Sequence, residues 1–336
     1  MEVIGIFLGI AAALIGGGLL YLFCSPMPVV RLIRRGDNFS VTYPPDYEAI
    51  SEQVEILRNL AYPSREGKNS YDLYLPKGEG RYPLVVWVHG GSFVAGDKAS
   101  MENWGVMLAG SGYAAALINY ERAPEASYPA QIRQIAQAVR AIAESVEGHE
   151  KLNMECVAIA GDSAGAHMAA QFALLHTNPK FAQRLGISSP LPPTALKCAL
   201  LYCGPFQLED LLHADSHVLR FLAGRIGQCY LGTRKWKSSP LLDTLTLKNF
   251  ITGDFVPAYI TDGNTLSFES HGRALAESLK ATGVEVRERY FDKEKYGEVG
   301  HGYEAQLATE PAAICLRDTL EFLKAHMVCP EPDRRE

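Results

Sequence analysis

Short, continuously apolar runs alternate with segments of helical periodicity along most of the chain. The runs at 84–88, 114–118 and 157–160 are typical of strands buried on both faces of a parallel sheet. Residues 129–143 instead repeat apolar side chains every three or four positions, as an amphipathic helix does. Because strands and helices alternate from residue 84 onward, the pattern predicts an α/β fold with a mainly parallel sheet and helices on both faces.

Two further segments have a helical pattern outside this alternation. Ile50, Val54 and Leu57 recur at helical spacing and predict a helix over residues 47–60, either in a cap or packed on the core. Residues 206–236 are expected to form a helical, aromatic insert. We expect its apolar side chains to be shared between an acyl or alcohol pocket and the core.

The N-terminal residues differ from the rest of the chain. Residues 3–23 are uncharged and apolar, and about 20 such residues suffice for a transmembrane helix. A cleaved signal peptide is the alternative, but no basic residue precedes the run and no A-x-A site closes it. The sequence therefore predicts a single span in the lipid bilayer. The arginines that follow at 31, 34 and 35 favour a catalytic domain on the cytoplasmic side.

Length and charge narrow the classes of protein. With 336 residues, the chain can hold one large domain plus an anchor. We divide it into an anchor at 1–24, a linker and helix at 25–60, and a catalytic domain at 61–330. A net charge of -6 provides no basic field for nucleic acid. Neither C-x-x-C nor H-E-x-x-H occurs, so we expect no metal site and no cofactor. The number of subunits stays open.

A candidate nucleophile follows the apolar run at 157–160. Residues 161–165 read Gly-Asp-Ser-Ala-Gly, the G-x-S-x-G pattern of a sharp turn between a strand and a helix. The serine of such a turn needs a strained backbone, so its neighbours two residues away must be small. The following helix offers amide groups to a developing oxyanion. The motif therefore indicates Ser163 as a nucleophile, and the alternative is an ordinary buried turn.

A second glycine-marked strand end follows the run at 84–88. There His89, Gly90 and Gly91 provide backbone amides in a place without bulky side chains. Such a loop can supply an oxyanion donor, with the amide of Ala164 as its partner. We expect His89 to support this loop by hydrogen bonds rather than to act as the base.

Three motifs together resemble one known family. They are HGGSF at 89–93, NYERAPE at 119–125 and GDSAG at 161–165, in the order and approximate spacing of the hormone-sensitive-lipase-like esterases. The resemblance runs from about residue 70 to residue 324. It implies an eight-stranded α/β-hydrolase fold with a helical cap, and the cleavage of small carboxylic esters.

The same resemblance assigns the oxyanion hole to Gly90, Gly91 and Ala164. The chain departs from the family pattern at Ser92, which replaces a glycine, and at residues 121–122, where Glu-Arg replaces Arg-Leu. Neither departure removes a catalytic group.

The candidate base is His301. It lies in a Gly-His-Gly sequence after the last predicted strand, and it is similar to the His-Gly-Phe of the family. A nucleophilic serine needs a base within reach, and the order serine, acid, histidine fits the fold. His167, four residues after Ser163, is expected to be a packing or capping residue.

The acid is the less defined member of the triad. Asp262 follows the predicted strand at 257–261, and Glu269 begins the next helix. A short carboxylate fixed at a strand end is better preorganised to accept a hydrogen bond from imidazole, so we favour Asp262 over Glu269. Asp254, which precedes the strand, is a weaker third candidate.

These residues predict a serine hydrolase of the lipase-like carboxylesterase class, acting on a small-molecule ester through an acyl-enzyme. The same machinery would serve a deacetylase, an amidase or a peptidase. An α/β-hydrolase-fold protein that only binds its ligand is the alternative of a different class.

Overall fold

Eight strands form one sheet in the computed structural model, which describes residues 2–36, 41–146, 150–210 and 216–328. The strands are β1 (Val54–Ala61), β2 (Ser70–Pro76), β3 (Tyr82–Val88), β4 (Ala114–Ile118), β5 (Leu152–Asp162), β6 (Leu196–Tyr202), β7 (Ala258–Thr261) and β8 (Val286–Arg289). Their spatial order is β1-β2-β4-β3-β5-β6-β7-β8. Strand β2 pairs antiparallel with both β1 and β4, and the other neighbours pair in parallel. The predicted eight-stranded, mainly parallel α/β-hydrolase sheet is therefore confirmed.

Helices precede, connect and follow the strands. They are α1 (Glu2–Cys24), α2 (Met27–Gly36), α3 (Tyr47–Ser51), α4 (Glu102–Gly110), α5 (Ala130–Glu144), α6 (Ala164–Thr177), α7 (Pro179–Leu185), α8 (His217–Tyr230), α9 (Glu269–Ala281), α10 (Lys293–Tyr296) and α11 (Glu310–His326). Right-handed crossovers between parallel strands place such helices on both faces of a sheet.

The core lies on both faces of the sheet because side chains of a strand alternate in direction. On β3, Val86 and Val88 face a cluster that includes α5 and α6. Val85 and Trp87 face the opposite cluster, which includes α4 and α11. The continuous apolar run of β3 is thus explained by burial on both sides.

Two helices from distant parts of the chain pack against each other. Helix α2 packs against α8, the helix of the predicted insert, and buries Val29 and Val30. Residues 211–215 of that insert lie outside the described residues. The division of the chain at residues 24 and 60 is not decided by these contacts and stays a prediction.

The predicted helix over residues 47–60 is wrong in its second half. Only α3 is helical, and β1 begins at Val54. The pairing of β1 with β2 shifts register between Leu57 and Leu60, where Asn59 has a φ of 57°. A β-bulge of this kind moves the next apolar residue by one position, so the strand acquires a spacing that resembles a helix.

The predicted transmembrane span is also wrong. Residues 3–23 are helical within α1, but among the helices that the structure describes none is long and apolar enough to cross a membrane. Three consecutive glycines at 16–18 add no apolar side chain to the run. The membrane location and the cytoplasmic orientation that depended on this span are therefore withdrawn.

Candidate active site

Ser163 lies at the tight turn between β5 and α6. Its φ of 51° and ψ of -120° are a strained conformation for a residue with a side chain. A Cβ on Gly161 would collide with the backbone of Gly165, and a Cβ on Gly165 would collide with the carbonyl of Val88. The two glycines of the motif are therefore required by close backbone approaches.

His301 contacts this serine directly. Its Nε2 lies 2.9 Å from the Oγ of Ser163, so the two atoms are within hydrogen-bond distance. Burial lowers the pKa of His301 to about 4, which keeps the imidazole neutral and able to accept a proton. Phe268 places its ring edge-on to the imidazole at 5.3 Å between centroids.

The acid candidates have different environments. Asp262 is 1% exposed, and its two oxygens accept hydrogen bonds from the amides of Gly263 at 2.7 Å and Phe268 at 2.8 Å. Burial raises its pKa to about 6. Glu269 instead forms an ion pair with Arg273 at 2.7 Å.

The structure brings Asp262 close to His301. A carboxylate oxygen of Asp262, a ring nitrogen of His301 and the Sγ of Cys203 all lie within 4.8 Å of one another. The Nδ1 of His301 has no hydrogen-bond partner among the described residues. Catalytic hydrogen bonds are often long before substrate binds, so Asp262 has the position of a partner for this nitrogen. Asp254 is exposed.

The loops that carry the acid and the base are bonded to each other. The amides of Asn264 and Thr265 donate to the carbonyl of Val299, at 2.8 Å and 3.0 Å. A Cβ on Gly263 would collide with that same carbonyl. The glycine after Asp262 therefore permits the close approach that brings the two loops together.

A metal could be considered for the cluster of Cys203, Asp262 and His301. Metal ions bind the thiolate form of cysteine. Burial holds the pKa of the Cys203 thiol well above its ordinary value, so the thiolate is disfavoured. The cluster is better suited to proton transfer than to metal binding.

The predicted oxyanion loop has an unusual backbone. Gly91, Ser92 and Phe93 have φ values of 114°, 52° and 65°. The amide of Gly90 donates to the Oδ2 of Asp162 at 3.0 Å. Among the described residues, the amides of Gly91 and Ala164 have no hydrogen-bond acceptor. Gly91 and Ala164 can thus donate to a ligand, whereas Gly90 has the position of a residue that shapes the loop.

His89 and His167 are both buried, and each has a ring nitrogen close to a backbone carbonyl rather than to Ser163. The Nδ1 of His89 lies 2.6 Å from the carbonyl of Gly90, and its ring stacks on Tyr120 with 4.3 Å between centroids. The Nδ1 of His167 lies 3.0 Å from the carbonyl of Pro205. Burial lowers the pKa of His89 to about 4 and that of His167 to about 3.

An apolar cavity of about 100 Å³ opens beside Ser163. Phe93 and Tyr230 stack at its wall with 4.2 Å between ring centroids. The other lining residues come mainly from the insert and the segment after it, and include Leu208, Ile226, Trp236, Leu242 and Leu245. Two other apolar residues of the insert, Val218 and Leu219, are instead exposed.

Arg34 is a site-supporting residue that the sequence did not reveal. Its Nε donates to the carbonyl of Val94 at 2.7 Å, next to the oxyanion loop. Its two terminal nitrogens pair with Glu125 at 2.8 Å and 2.6 Å. In the sequence Arg34 counted only as a flanking positive charge. The sequence signal that could have identified Arg34 is Glu125, an acidic residue of the NYERAPE motif that can pair with a basic side chain.

Residues 71–268 match the family model described as BD-FAE. The chain belongs to the BD-FAE family. The matched segment covers more than half of the chain and includes the predicted oxyanion loop, Ser163 and Asp262. The resemblance to hormone-sensitive-lipase-like carboxylesterases of the α/β-hydrolase superfamily is thereby confirmed.

Several curated proteins are similar to this chain in sequence. Esterase LipI of Mycobacterium tuberculosis is 29% identical over 236 residues, which cover 68% of this chain and 69% of that protein. Kynurenine formamidase of Drosophila melanogaster is 25% identical and covers 77% of this chain and 78% of its own. The probable isoprenylcysteine alpha-carbonyl methylesterase of Oryza sativa subsp. japonica is 28% identical over 47% of this chain. The chain spans 37% of the length of that rice protein.

A solved structure agrees in fold. Esterase B from Lactobacillus Rhamnosis has a TM-score of 0.72 with 20% identity, and the match covers 83% of this chain and 90% of the other. Relatives named as esterases support the carboxylic ester hydrolase class that the motifs predict.

Proposed function

We propose that this chain is a serine carboxylic ester hydrolase that acts through Ser163, His301 and Asp262. The observation that carries the proposal is the 2.9 Å contact between the Oγ of Ser163 and the Nε2 of His301. A serine in a strained turn, bonded to a neutral buried imidazole, is the arrangement that activates a hydroxyl for attack.

The reaction would begin when Ser163 attacks the ester carbonyl and His301 accepts the hydroxyl proton. Asp262 would stabilise the imidazolium through the Nδ1 hydrogen, without taking the proton. The amides of Gly91 and Ala164 would donate to the oxyanion, and Gly90 would shape that hole. His301 would then protonate the leaving alcohol, and a water molecule would repeat the sequence on the acyl-enzyme.

The cavity suggests the kind of ester. Its wall is apolar, so it suits an acyl or alcohol group without charge. The small size of the cavity favours a short group. We therefore assign a small-molecule ester with a short apolar acyl or alcohol group as the substrate class.

Replacement of the nucleophile tests the proposal. We expect Ser163→Ala to lower kcat for p-nitrophenyl butyrate by at least about a thousandfold, because the hydroxyl that contacts the base His301 is removed. The matched control is Ser111→Ala, at the end of α4, which should keep wild-type turnover. Retained hydrolysis in a folded Ser163→Ala protein would refute the assignment.

An amidase is the second candidate. It is favoured by the Drosophila kynurenine formamidase, which aligns with 77% of this chain. Turnover of an aryl formamide and of p-nitrophenyl butyrate should be compared on the same preparation. A kcat/KM for the formamide that exceeds the ester value would assign the chain to amide hydrolysis by the same residues. Deacetylase and peptidase activities can be assayed in the same way, and a protein without turnover would support the binding role.

A further inference from the structure

The NYERAPE motif has no part in the reaction above, although it supports the family resemblance. It follows β4 and contacts the segment 89–98, which contains the oxyanion loop. The amide of Ala123 donates to the carbonyl of Phe93 at 2.9 Å, in the middle of that segment. The Oδ1 of Asn119 accepts a hydrogen bond from the amide of Lys98 at 2.8 Å, at the end of the segment. The motif therefore holds the segment at two points, and a third contact lies at its beginning.

Tyr120 supplies the third contact. Its side chain is fully buried, and its hydroxyl donates to the carbonyl of His89 at 2.9 Å. The same hydroxyl lies 3.4 Å from the carbonyl oxygen of Gly90. The phenol ring also stacks on the imidazole of His89, with 4.3 Å between the centroids and 14° between the planes. Tyr120 thus contacts His89 at both its main chain and its side chain.

His89 in turn binds the peptide unit that follows it. Its Nδ1 lies 2.6 Å from the carbonyl oxygen of Gly90. A carbonyl oxygen only accepts hydrogen bonds, so the Nδ1 of His89 carries the hydrogen. A Cβ on Gly96 would collide with both of these atoms, so the chain closes tightly over this bond. The Nε2 of the ring has no partner among the described residues, so the Nδ1 bond and the packing of the ring determine its orientation.

The carbonyl of Gly90 and the amide of Gly91 belong to one peptide unit. That unit is trans, and in a planar trans unit the N–H points in the opposite direction to the C=O. The hydrogen bond on the Gly90 carbonyl therefore fixes the direction of the Gly91 amide. Both residues are glycines, so steric repulsion alone opposes a rotation of the unit only weakly. The unit lies next to the nucleophile, because a Cβ on Gly90 would be 3.1 Å from the Cβ of Ser163.

We propose that Tyr120 is a positioning residue of the oxyanion hole, which fixes the direction of the Gly91 amide through His89. The inference rests on the proposed hydrolase function. An oxyanion donor is effective when its direction is set before the reaction begins, and the contacts of Tyr120 with His89 provide this preorganisation. A tyrosine that only filled the core would contribute to stability and leave the amide unaffected.

The test begins with Tyr120→Phe, which keeps the ring and removes the hydroxyl. We expect kcat for p-nitrophenyl butyrate to fall about tenfold, which is less than the roughly hundredfold loss that follows removal of a whole oxyanion donor. KM should stay within about twofold of wild type, because the oxyanion forms only after attack on the ester. A trifluoromethyl ketone, which forms a tetrahedral oxyanion adduct with an active-site serine, should bind about tenfold more weakly.

The matched control is Tyr202→Phe. The hydroxyls of Tyr202 and Thr319 lie 2.9 Å apart, and Tyr202 is as buried as Tyr120 but belongs to the core on the other face of the sheet. Each variant loses one buried hydrogen bond, so both should lower the unfolding free energy. Only Tyr120→Phe should lower kcat and weaken ketone binding. Wild-type values of both quantities in Tyr120→Phe would overturn the proposal.

Two variants of His89 test the route through the imidazole, and they also cover the case in which Tyr120→Phe does not fold. His89→Asn and His89→Leu introduce side chains of similar shape, but only asparagine can donate to the Gly90 carbonyl. We expect kcat to fall about a hundredfold in His89→Leu, as for the loss of an oxyanion donor, and clearly less in His89→Asn. Equal kcat values in the two variants would contradict the proposal.

A double variant shows whether Tyr120 acts through His89. An amide that has already lost its fixed direction cannot lose it again, so adding Tyr120→Phe to His89→Leu should lower kcat by less than about twofold. A further tenfold loss would mean that the two residues act independently, which contradicts the proposal.

Labelling with a fluorophosphonate probe separates this inference from the proposed function. A folded wild type that does not react would refute the hydrolase. A wild type that reacts, together with a Tyr120→Phe protein that has wild-type kcat and ketone affinity, would leave the hydrolase intact and refute the positioning role of Tyr120.

Discussion

The two acid candidates, Asp262 and Glu269, differ in their surroundings. Two backbone amides hold the oxygens of Asp262, and the buried position keeps water away from it. Glu269 lies only seven residues later, but its side chain is paired with Arg273 at the surface. The difference between the two acids is therefore one of environment, and it can be measured.

We predict that Asp262→Asn lowers kcat by about 10³–10⁴, because an amide cannot stabilise the imidazolium and favours the wrong tautomer. Glu269→Gln should change kcat by less than about twofold, since an exposed ion pair contributes little. Steady-state kinetics with p-nitrophenyl butyrate measure both variants. A collapse in Glu269→Gln alone would assign the acid to that residue.

The pH profile of wild type checks the same assignment. Burial raises the pKa of Asp262 to about 6, so its ionised form is lost as the pH falls through that value. A protonated Asp262 cannot accept the hydrogen bond from His301, and kcat/KM should decline below about pH 6. This acid limb should be absent from the residual activity of Asp262→Asn.

The sequence predicted those site residues whose structural requirements lie within a few neighbouring positions. Gly161 and Gly165 are needed by a turn that lies within the motif itself, so Ser163 could be predicted from five consecutive residues. The engagement of the Gly90 amide could not be predicted, because its acceptor on Asp162 is 72 positions away. The choice between Asp262 and Glu269 also depends on which loop approaches His301, which spacing alone does not decide.

At the scale of elements, α2 is a structural support of the active site. Arg34, near its end, joins the carbonyl of Val94 beside the oxyanion loop to the carboxylate of Glu125. The guanidinium is partly buried, with 25% of its side chain exposed. Such bidentate, charge-assisted contacts are stronger than ordinary surface pairs.

We predict that Arg34→Ala lowers the unfolding free energy by about 1–3 kcal/mol and reduces kcat about tenfold, because the loop that carries Phe93 and Val94 loses its anchor. Arg34→Lys should restore little of either, since lysine cannot make the bidentate contact. The control is Arg35→Ala, an exposed neighbour on the same helix. Denaturant unfolding and steady-state kinetics give both quantities. Equal behaviour of the Arg34 and Arg35 variants would exclude the anchoring role.

The two wrong element predictions have physical reasons. Between 54 and 60, a β-bulge at Asn59 gave a strand the spacing of a helix. Between 3 and 23, the length of the uncharged run alone predicts a span, although five glycines, at 5, 9 and 16–18, lie within it. Alternating strands and helices after residue 84 were predictable because each run is buried on both faces and has no competing pattern.

At the scale of the whole molecule, the order of the strands brings distant residues together. Ser163 follows β5, Asp262 follows β7 and His301 lies beyond β8. Strand β6 separates β5 from β7, and β7 pairs with β8, so all three residues reach the same edge of the sheet. Parallel strands place their carboxyl ends at one edge, which explains why this edge holds the site.

The cap is where the sequence was least informative. Helix α2 near the N-terminus and α8 in the insert pack together, although almost two hundred residues separate them along the chain. Their pairing has no local signature, because each helix alone only predicts one apolar face. Residues of α8 line the cavity beside Ser163, so this lining could be anticipated only in part.

The measurement that tests the central claim most directly is labelling of the full chain with a fluorophosphonate probe, followed by identification of the modified peptide. If Ser163 is the activated nucleophile, we expect one modification, on Ser163, and no modification in Ser163→Ala. We also expect labelling at least about a hundredfold slower in His301→Asn, because the general base is removed. An unlabelled wild type, a modification on another residue, or an unchanged rate in His301→Asn would contradict this claim.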